Sequence, residues 1–324
     1  MIKLNWKRLL IAALLLLLFL LLLRGLFFAC RAKEAPPHPI EFVSEPERIL
    51  SLYLHREKKS VRLELEEYIV GVVASEMPAS FKPEALKAQA VASRTYTLRR
   101  LLKGGCSSSC DICSSSSCCQ AYKTDAELKK TWGGKYSENL AKIREAVEST
   151  KGEALYYNGE LIEALYHAAS GGYTEDSENV FRAAEPYLRS VKSENEEGSK
   201  YLTSSTRLSR KAFVKAVNSA WPSAKLKASA LERQVKILSR FESGRVERIK
   251  LGGAQATGRE LRGLLELKSA LFTLEFTKTE AIFHTRGFGH GVGMSQAGAN
   301  GMAAKGAGYK EILSHYYTGA TLSR

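Results

Sequence analysis

The 324-residue sequence predicts an α+β domain, and three observations carry that expectation. Helix-period and strand-period segments follow one another without the regular βαβ alternation of a doubly wound sheet. Asn158-Gly159 stands between two short apolar runs, residues 154–157 and 161–166, which is a strong hairpin signal. Pro83 opens a run in which Leu86, Ala90, Ser93 and Thr97 fall along one side of a helix, with Glu84 placed favourably toward its dipole.

The N-terminus stands apart from this domain. Lys3, Lys7 and Arg8 precede an uncharged run from residue 9 to 23, and the apolar character resumes after Arg24 as far as Ala29. At about 1.5 Å per residue the segment 9–29 reaches roughly 30 Å, enough to cross a bilayer. The basic flank keeps residues 1–8 cytoplasmic and sends the remainder outside. A cleaved signal peptide is the rival, but no clean small-x-small site follows the run. A lipoprotein reading at Cys30 fits poorly with Phe27 three positions before it. Residues 30–60 contain Pro36, Pro37, Pro39 and Pro46 and read as a tether.

The domain is expected from Val61 to the C-terminus. Residues 61–65 alternate like a strand, and residues 68–74 look helical, ending near Glu76-Met77-Pro78. Residues 104–119 form a Cys/Ser/Gly loop, and 140–149 a helix. A helix is expected over 211–219, and a second hairpin over 234–241 and 245–251. A short helix over 258–265 and a strand over 272–276 complete the expectation. No internal repeat is visible.

Formal net charge is +14, with 13 Lys/Arg against 3 Asp/Glu between residues 200 and 250. An exported chain rarely meets nucleic acid, so wall carboxylates, anionic wall polymers or lipid headgroups suit this charge better. Many of these lysines are ordinary solvated side chains.

One carboxylate stands out. Glu76 lies among Val72, Val73, Ala74 and Met77, and desolvation by such neighbours raises the pKa of a general acid. A helix-terminal glutamate can equally be a cap or an ion-pair partner. Glu64, Glu66 and Glu67 lie in a charged run and read as solvent-facing. Near the C-terminus, Gly287, Gly289, Gly291 and Gly293 alternate with Phe288, His290 and Val292, permitting close backbone approach or positive φ. No GxxxxGK[ST] pattern supports phosphate cradling. His290 can orient the glutamate, bond sugar or be structural; Ser295 and Gln296 follow at the next helix. Cys106, Cys110, Cys113, Cys118 and Cys119 crowd one loop, open to disulfides, structural zinc or free thiols.

Two segments, GVVASEMPASFKPEALKAQAVASRTYT (71–97) and HTRGFGHGVGMSQAGANGMAAKGAGYKEILSHYYTG (284–319), closely resemble the signatures of the stage II sporulation protein D (SpoIID/LytB) family. Residues 166–174 are similar to its Ser/Thr-Gly-Gly-x-Thr turn, with Ala169 where threonine is usual, and 258–262 match more loosely. The resemblance implies a peptidoglycan lytic transglycosylase acting in engulfment during sporulation. Glu76 is then the acid/base. Arg94, Lys87, Gln89, His290, Ser295 and Gln296 hold or orient substrate, and Arg94 is the candidate for gripping a substrate carboxylate or Glu76 itself.

In such an enzyme the sugar's own 6-hydroxyl attacks, leaving a 1,6-anhydro-muramyl end and needing one carboxylate where a hydrolase needs two. Glu163, Glu175 and Asp176 are the residues a hydrolase could recruit. Asp111-Ile112-Cys113 and Cys119-Gln120-Ala121-Tyr122 look like the family's zinc segment. Cys118 replaces one histidine there and Cys106 or Cys110 the other, giving the expected set Cys106, Cys113, Cys118 and Cys119. The implied partners are peptide-stripped glycan strands, an amidase/endopeptidase and a membrane scaffold, with the domain facing the septal space from the mother-cell membrane. Some relatives resemble amidase enhancers, so a non-catalytic activator is the alternative, and a wall tether a third.

Overall fold

The computed structural model describes residues 48–324 apart from 108 and 182. The expected anchor at 9–29 and most of the expected tether lie outside the described residues. Among those residues no helix is long and apolar enough to cross a membrane.

The domain begins earlier than residue 61. β1 (Ile49–Leu54) pairs antiparallel with β2 (Lys59–Glu64), and Leu50, Leu52 and Leu54 of β1 enter the core. Alternation over 49–54 is the signal for this strand, so the tether gives way before residue 60. α1 (Leu65–Glu76) follows with Glu66 and Glu67 in its first turn, and it stops at Met77, whose backbone is extended ahead of Pro78. α2 (Pro83–Leu102) starts with proline in its first turn and ends with Arg99 and Arg100 in its last. It is the buried axis of the fold, packed by α1 and by elements from both ends of the chain. β3 (Ile112–Cys113) joins β1 in parallel.

α3 (Asp125–Trp132) carries a capping box between Thr124 and Glu127. α4 (Tyr136–Glu148) lies against α1 and α2. β4 (Ala154–Tyr157) and β5 (Glu160–Leu161) form the expected hairpin, with Asn158 at φ 50° and Gly159 at φ 80°, as a type I′ turn demands. The second arm is shorter than expected. β6 (Tyr166–His167) leaves it to pair in parallel with a strand near the C-terminus, and a single helical turn, α5 (Ser177–Val180), follows.

Residues 203–286 form a second lobe with its own core around Phe213, Phe272 and Phe283. β7 (Thr203–Ser209) leads into α6 (Arg210–Ala220) and the single turn α7 (Leu231–Gln234). β8 (Val235–Arg240), β9 (Val246–Leu251) and β10 (Ala254–Thr257) make one antiparallel sheet. α8 (Gly258–Leu264) is capped by a second box, Thr257 with Glu260. β11 (Phe272–Phe276) and β12 (Glu280–Arg286) close the lobe, because β12 pairs along its whole length with β7.

The chain then returns to the first lobe. β13 (Met294–Ser295) pairs with β6, and α9 (Gln296–Ala304) and α10 (Tyr309–Tyr316) pack on α2. β14 (Thr321–Ser323) pairs with β4. The first core thus joins residues 50–188 to 292–317, which brings the two signature segments of the sequence together.

Candidate active site

α1 ends with Glu76, half-buried beside α2 and α9. Its Oε1 accepts a hydrogen bond from the Ala121 main-chain N–H at 2.9 Å. The side chains of Gln296 and Tyr166 lie within hydrogen-bonding reach of the same carboxyl. Burial raises its pKa above the ordinary 4.5, and the Ala121 N–H, the Gln296 amide and the nearby Tyr166 hydroxyl offset this only in part. None of the groups acting on it is cationic.

Behind this carboxyl runs a chain of uncharged polar groups. Gln296 Nε2 donates to Gln89 Oε1 at 3.2 Å, and Gln89 Nε2 donates to Ser93 Oγ at 2.9 Å. The Tyr166 hydroxyl donates to Gln120 Oε1 at 2.7 Å, and Gln120 Nε2 donates to Thr97 Oγ1 at 2.9 Å. Gln89, Ser93 and Thr97 are spaced four residues apart on α2, so they line one face of that helix. Of the polar residues expected from the sequence, Gln89 and Gln296 join Glu76 here. Tyr166 and Gln120 join them unanticipated as site residues, although both lie in segments that carry the family resemblance.

Arg94 and Lys87 stand elsewhere. Arg94 is fully buried and grips Glu66 with two bonds, Nε at 2.8 Å and Nη2 at 2.6 Å, while Nη1 reaches the Glu153 carbonyl at 3.1 Å. A substrate carboxylate cannot reach it, so the expectation that Arg94 holds substrate or Glu76 gives way to a structural ion pair. Glu66 is correspondingly half-buried rather than solvent-facing, and Glu67 pairs with Arg144. Lys87 pairs with Glu84 at 2.7 Å and lies 5.9 Å from the Tyr309 ring centroid.

Ser295 is the N-cap of α9. Its Oγ accepts from Gly298 N–H and donates to Glu196, which also receives the Ser193 hydroxyl and the N–H groups of Ser170 and Gly171. Ser295 and Glu196 therefore fix the 170–171 turn and the start of α9, rather than facing Glu76.

His290 accepts the Val292 N–H through Nδ1 at 3.1 Å and also bonds the backbone of Tyr166. Burial, and then Arg262, push its pKa down to about 4. It is a neutral ring with backbone partners, behind Tyr166 rather than beside Glu76. The four glycines around it sit at φ between 71° and 116°. A Cβ on Gly291 would lie 2.5 Å from the Arg245 guanidinium, and one on Gly293 2.0 Å from the Leu165 carbonyl. The close approach read from these glycines is thus to the protein's own backbone and to Arg245.

The cysteine loop meets the same site. Sγ atoms of Cys106, Cys113, Cys118 and Cys119 all lie within 4.8 Å of one another. Contacts of 3.0 Å (Cys106–Cys118), 3.6 Å (Cys113–Cys119) and 3.8 Å (Cys118–Cys119) run up to the edge of about 3.8 Å that a tetrahedral zinc tetrathiolate requires. The Cys113 N–H points at Cys119 Sγ (3.4 Å), and Arg100 Nη2 lies 3.8 Å from Cys118 Sγ, both suited to thiolate charge. Cys110 is outside the group and contacts the Ser107 hydroxyl at 3.4 Å. The four residues fit a structural metal ion, and the chain runs from Cys119 directly into Gln120 and Ala121.

The expected second carboxylates are engaged away from Glu76. Glu163 binds Arg99 and Lys103, Glu175 is buried against Ser243 and Asn179, and Asp176 receives the Ser190 N–H.

Comparison with known proteins gives the family of the chain. The family model described as stage II sporulation protein (SpoIID) matches residues 53–157. The chain is 42% identical over 262 residues to stage II sporulation protein D of Bacillus subtilis (strain 168), covering 80% of this chain and 74% of that one. Its counterpart from Bacillus amyloliquefaciens is 40% identical with the same coverage. A Bacillus subtilis protein (strain 168) named amidase enhancer is 31% identical over an alignment of 300 positions that covers 78% of this chain and 40% of that protein. On the identity and coverage of these relatives, this chain belongs to the stage II sporulation protein D family.

Proposed function

We propose that this protein is a peptidoglycan lytic transglycosylase that cuts the MurNAc–GlcNAc bond of glycan strands during sporulation engulfment, with Glu76 as its acid/base. The observation that carries this reading is a single half-buried carboxyl of raised pKa, ringed by neutral donors and without a carboxylate partner. Protonated, Glu76 delivers its proton to the bridging oxygen as the glycosidic bond breaks. As the carboxylate, stabilised by the Ala121 N–H and Gln296, it then takes the proton of the sugar's 6-hydroxyl, which attacks the anomeric carbon. One carboxylate serves both half-steps and no water is consumed. Gln89 acts through Gln296 as a positioning residue. A zinc ion bound by Cys106, Cys113, Cys118 and Cys119 would hold residues 120 and 121 in place and take no part in the chemistry.

In this reading residues 9–29 anchor the chain with residues 1–8 in the cytoplasm, and the domain works outside, in the septal space. An amidase/endopeptidase strips stem peptides from the strands beforehand, within a complex gathered by a membrane scaffold.

The relative named amidase enhancer supports a second reading, in which the domain binds glycan and activates an amidase without cutting. Peptide-free glycan strands incubated with the full chain distinguish the two. The enzyme reading expects anhydro-muropeptides from wild type and none from Glu76→Gln. Folded wild type that binds strands but releases nothing, and raises amidase activity with or without Glu76, supports the activator instead.

A further inference from the structure

A cavity of about 410 Å³ lies between the two lobes, with His290 in one wall and α8 in the other. Its charged lining groups are Glu175, Glu178, Glu247 and Glu260 with Arg245, Arg248, Arg259 and Arg262, of which Arg248 is exposed. Glu175 accepts from Asn179 and Ser243, Glu178 is clamped by Arg189, and Glu260 caps Thr257. Arg245, buried at the floor, donates to the carbonyls of Tyr173 and Ser170 at 2.9 Å each, and its Nε has no partner.

Arg262 differs from all of these. It is half-buried, its Nε donates to the Leu267 carbonyl at 3.2 Å, and no described residue bonds its Nη1 or Nη2. Arg259 donates to the Val180 carbonyl and lies 5.6 Å from the Phe181 ring centroid, with no carboxylate within ion-pair distance among the described residues. Half-buried cations are normally supplied with a counter-ion, and the guanidinium fork matches a carboxylate with two parallel bonds. Burial, and then Arg259, lower the pKa of Arg262, and Arg262, Arg245 and Arg259 add to burial in depressing His290. The lining balances four arginines against four glutamates, so what favours an anion here is the unpartnered guanidinium edge of Arg262 and not an excess of positive charge. Glu247, the lining carboxylate without a partner among the described residues, makes the cavity better suited to a single negative charge than to a polyphosphate.

We propose that this cavity is a carboxylate subsite in which Arg262, assisted by Arg259, receives the lactyl carboxylate of a muramyl residue. The assignment rests on the glycan-strand reading above. Of the two alternating sugars in such a strand only the muramyl unit carries a carboxylate, and that group is free once the peptide is gone. Tyr166 connects the two places, since its side chain reaches Glu76 and its backbone bonds His290.

The test is calorimetric binding of three tetrasaccharides to the full chain: peptide-free strand fragments, the same fragments with the lactyl carboxylate converted to a methylamide, and chitotetraose. The carboxylate form should bind at least about tenfold more tightly than either neutral form, the effect of a charge-assisted hydrogen-bond pair. Arg262→Gln should erase that difference while leaving chitotetraose binding unchanged, and Arg262→Lys should retain part of it. Arg259→Gln, at an exposed position safe for folding, should reduce it. Equal binding of all three sugars, or a preference that survives both glutamine variants, overturns the subsite and leaves the glycan reading standing. Absence of binding by every sugar overturns both.

Discussion

The Glu76 carboxyl and the Ala121 main-chain N–H are hydrogen-bonded at 2.9 Å, and Ala121 follows Cys119 by two residues. Four thiolates held by one ion would therefore set the position of a donor that tunes the acid. Chelation of the full chain should release one zinc per molecule, lower the melting temperature and reduce strand cleavage. Elemental analysis with differential scanning calorimetry checks this, and Cys110→Ser should behave as wild type. A protein that binds no metal but keeps its activity contradicts the arrangement.

Glu76→Gln separates chemistry from folding. Loss of the general acid should lower kcat by about 10²–10⁴-fold. Because burial raises the Glu76 pKa, the stability associated with its neutral form is present below the ordinary 4.5 and is lost as pH rises through the folded value. The glutamine variant should therefore melt at or above the wild-type temperature on the alkaline side of that transition. In wild type the alkaline limb of the rate profile should fall above pH 4.5, as the acid ionises. Melting curves and rates across pH test both signs.

The Arg94–Glu66 pair predicts the reverse pattern. Arg94→Ala leaves Glu66 without its counter-charge in a half-buried setting and should cost about 3–5 kcal/mol of stability. Activity per folded molecule should stay close to wild type, since Arg94 does not touch Glu76. Denaturant unfolding beside rates at low temperature measures this.

Gly291→Ala places a methyl group on the Arg245 guanidinium at a φ of 88°. Backbone strain alone should cost about 1–3 kcal/mol, and the displaced arginine adds to it. Gly172→Ala has open space around its Cβ at a φ of 124°, so it carries the strain without the collision and should lose less. Paired melts of the two variants show the difference.

Much of this site was legible in the sequence because its signals are local. Pro83 starts a helix by its fixed φ, Asn158-Gly159 turns a hairpin, and apolar neighbours around Glu76 announce desolvation. The four zinc candidates lie within fourteen residues, so little folding is needed to gather them. Other features depend on distant partners. Arg94 reads as a free polar group on a helix until Glu66, 28 residues earlier, is brought against it. β12 gives no strand signal because Ala281, Ile282 and Phe283 are apolar in succession, all three buried, which erases the two-residue period. β7 gives none either, because Leu208 is the one large apolar residue of a strand otherwise rich in serine and threonine. The residues of the cavity at Arg262 fall partly in matched segments, 258–262 and 284–319, but nothing in the sequence brings them to one cavity, since its walls come from two lobes.

The most direct measurement of the central claim is digestion of peptide-free strands by the full chain in H₂¹⁸O, with new chain ends weighed by mass spectrometry. A transglycosylase centred on Glu76 gives anhydro-muramyl ends free of ¹⁸O, and Glu76→Gln gives none. Reducing ends carrying ¹⁸O would contradict it, because water, and so a second carboxylate, would then have to take part.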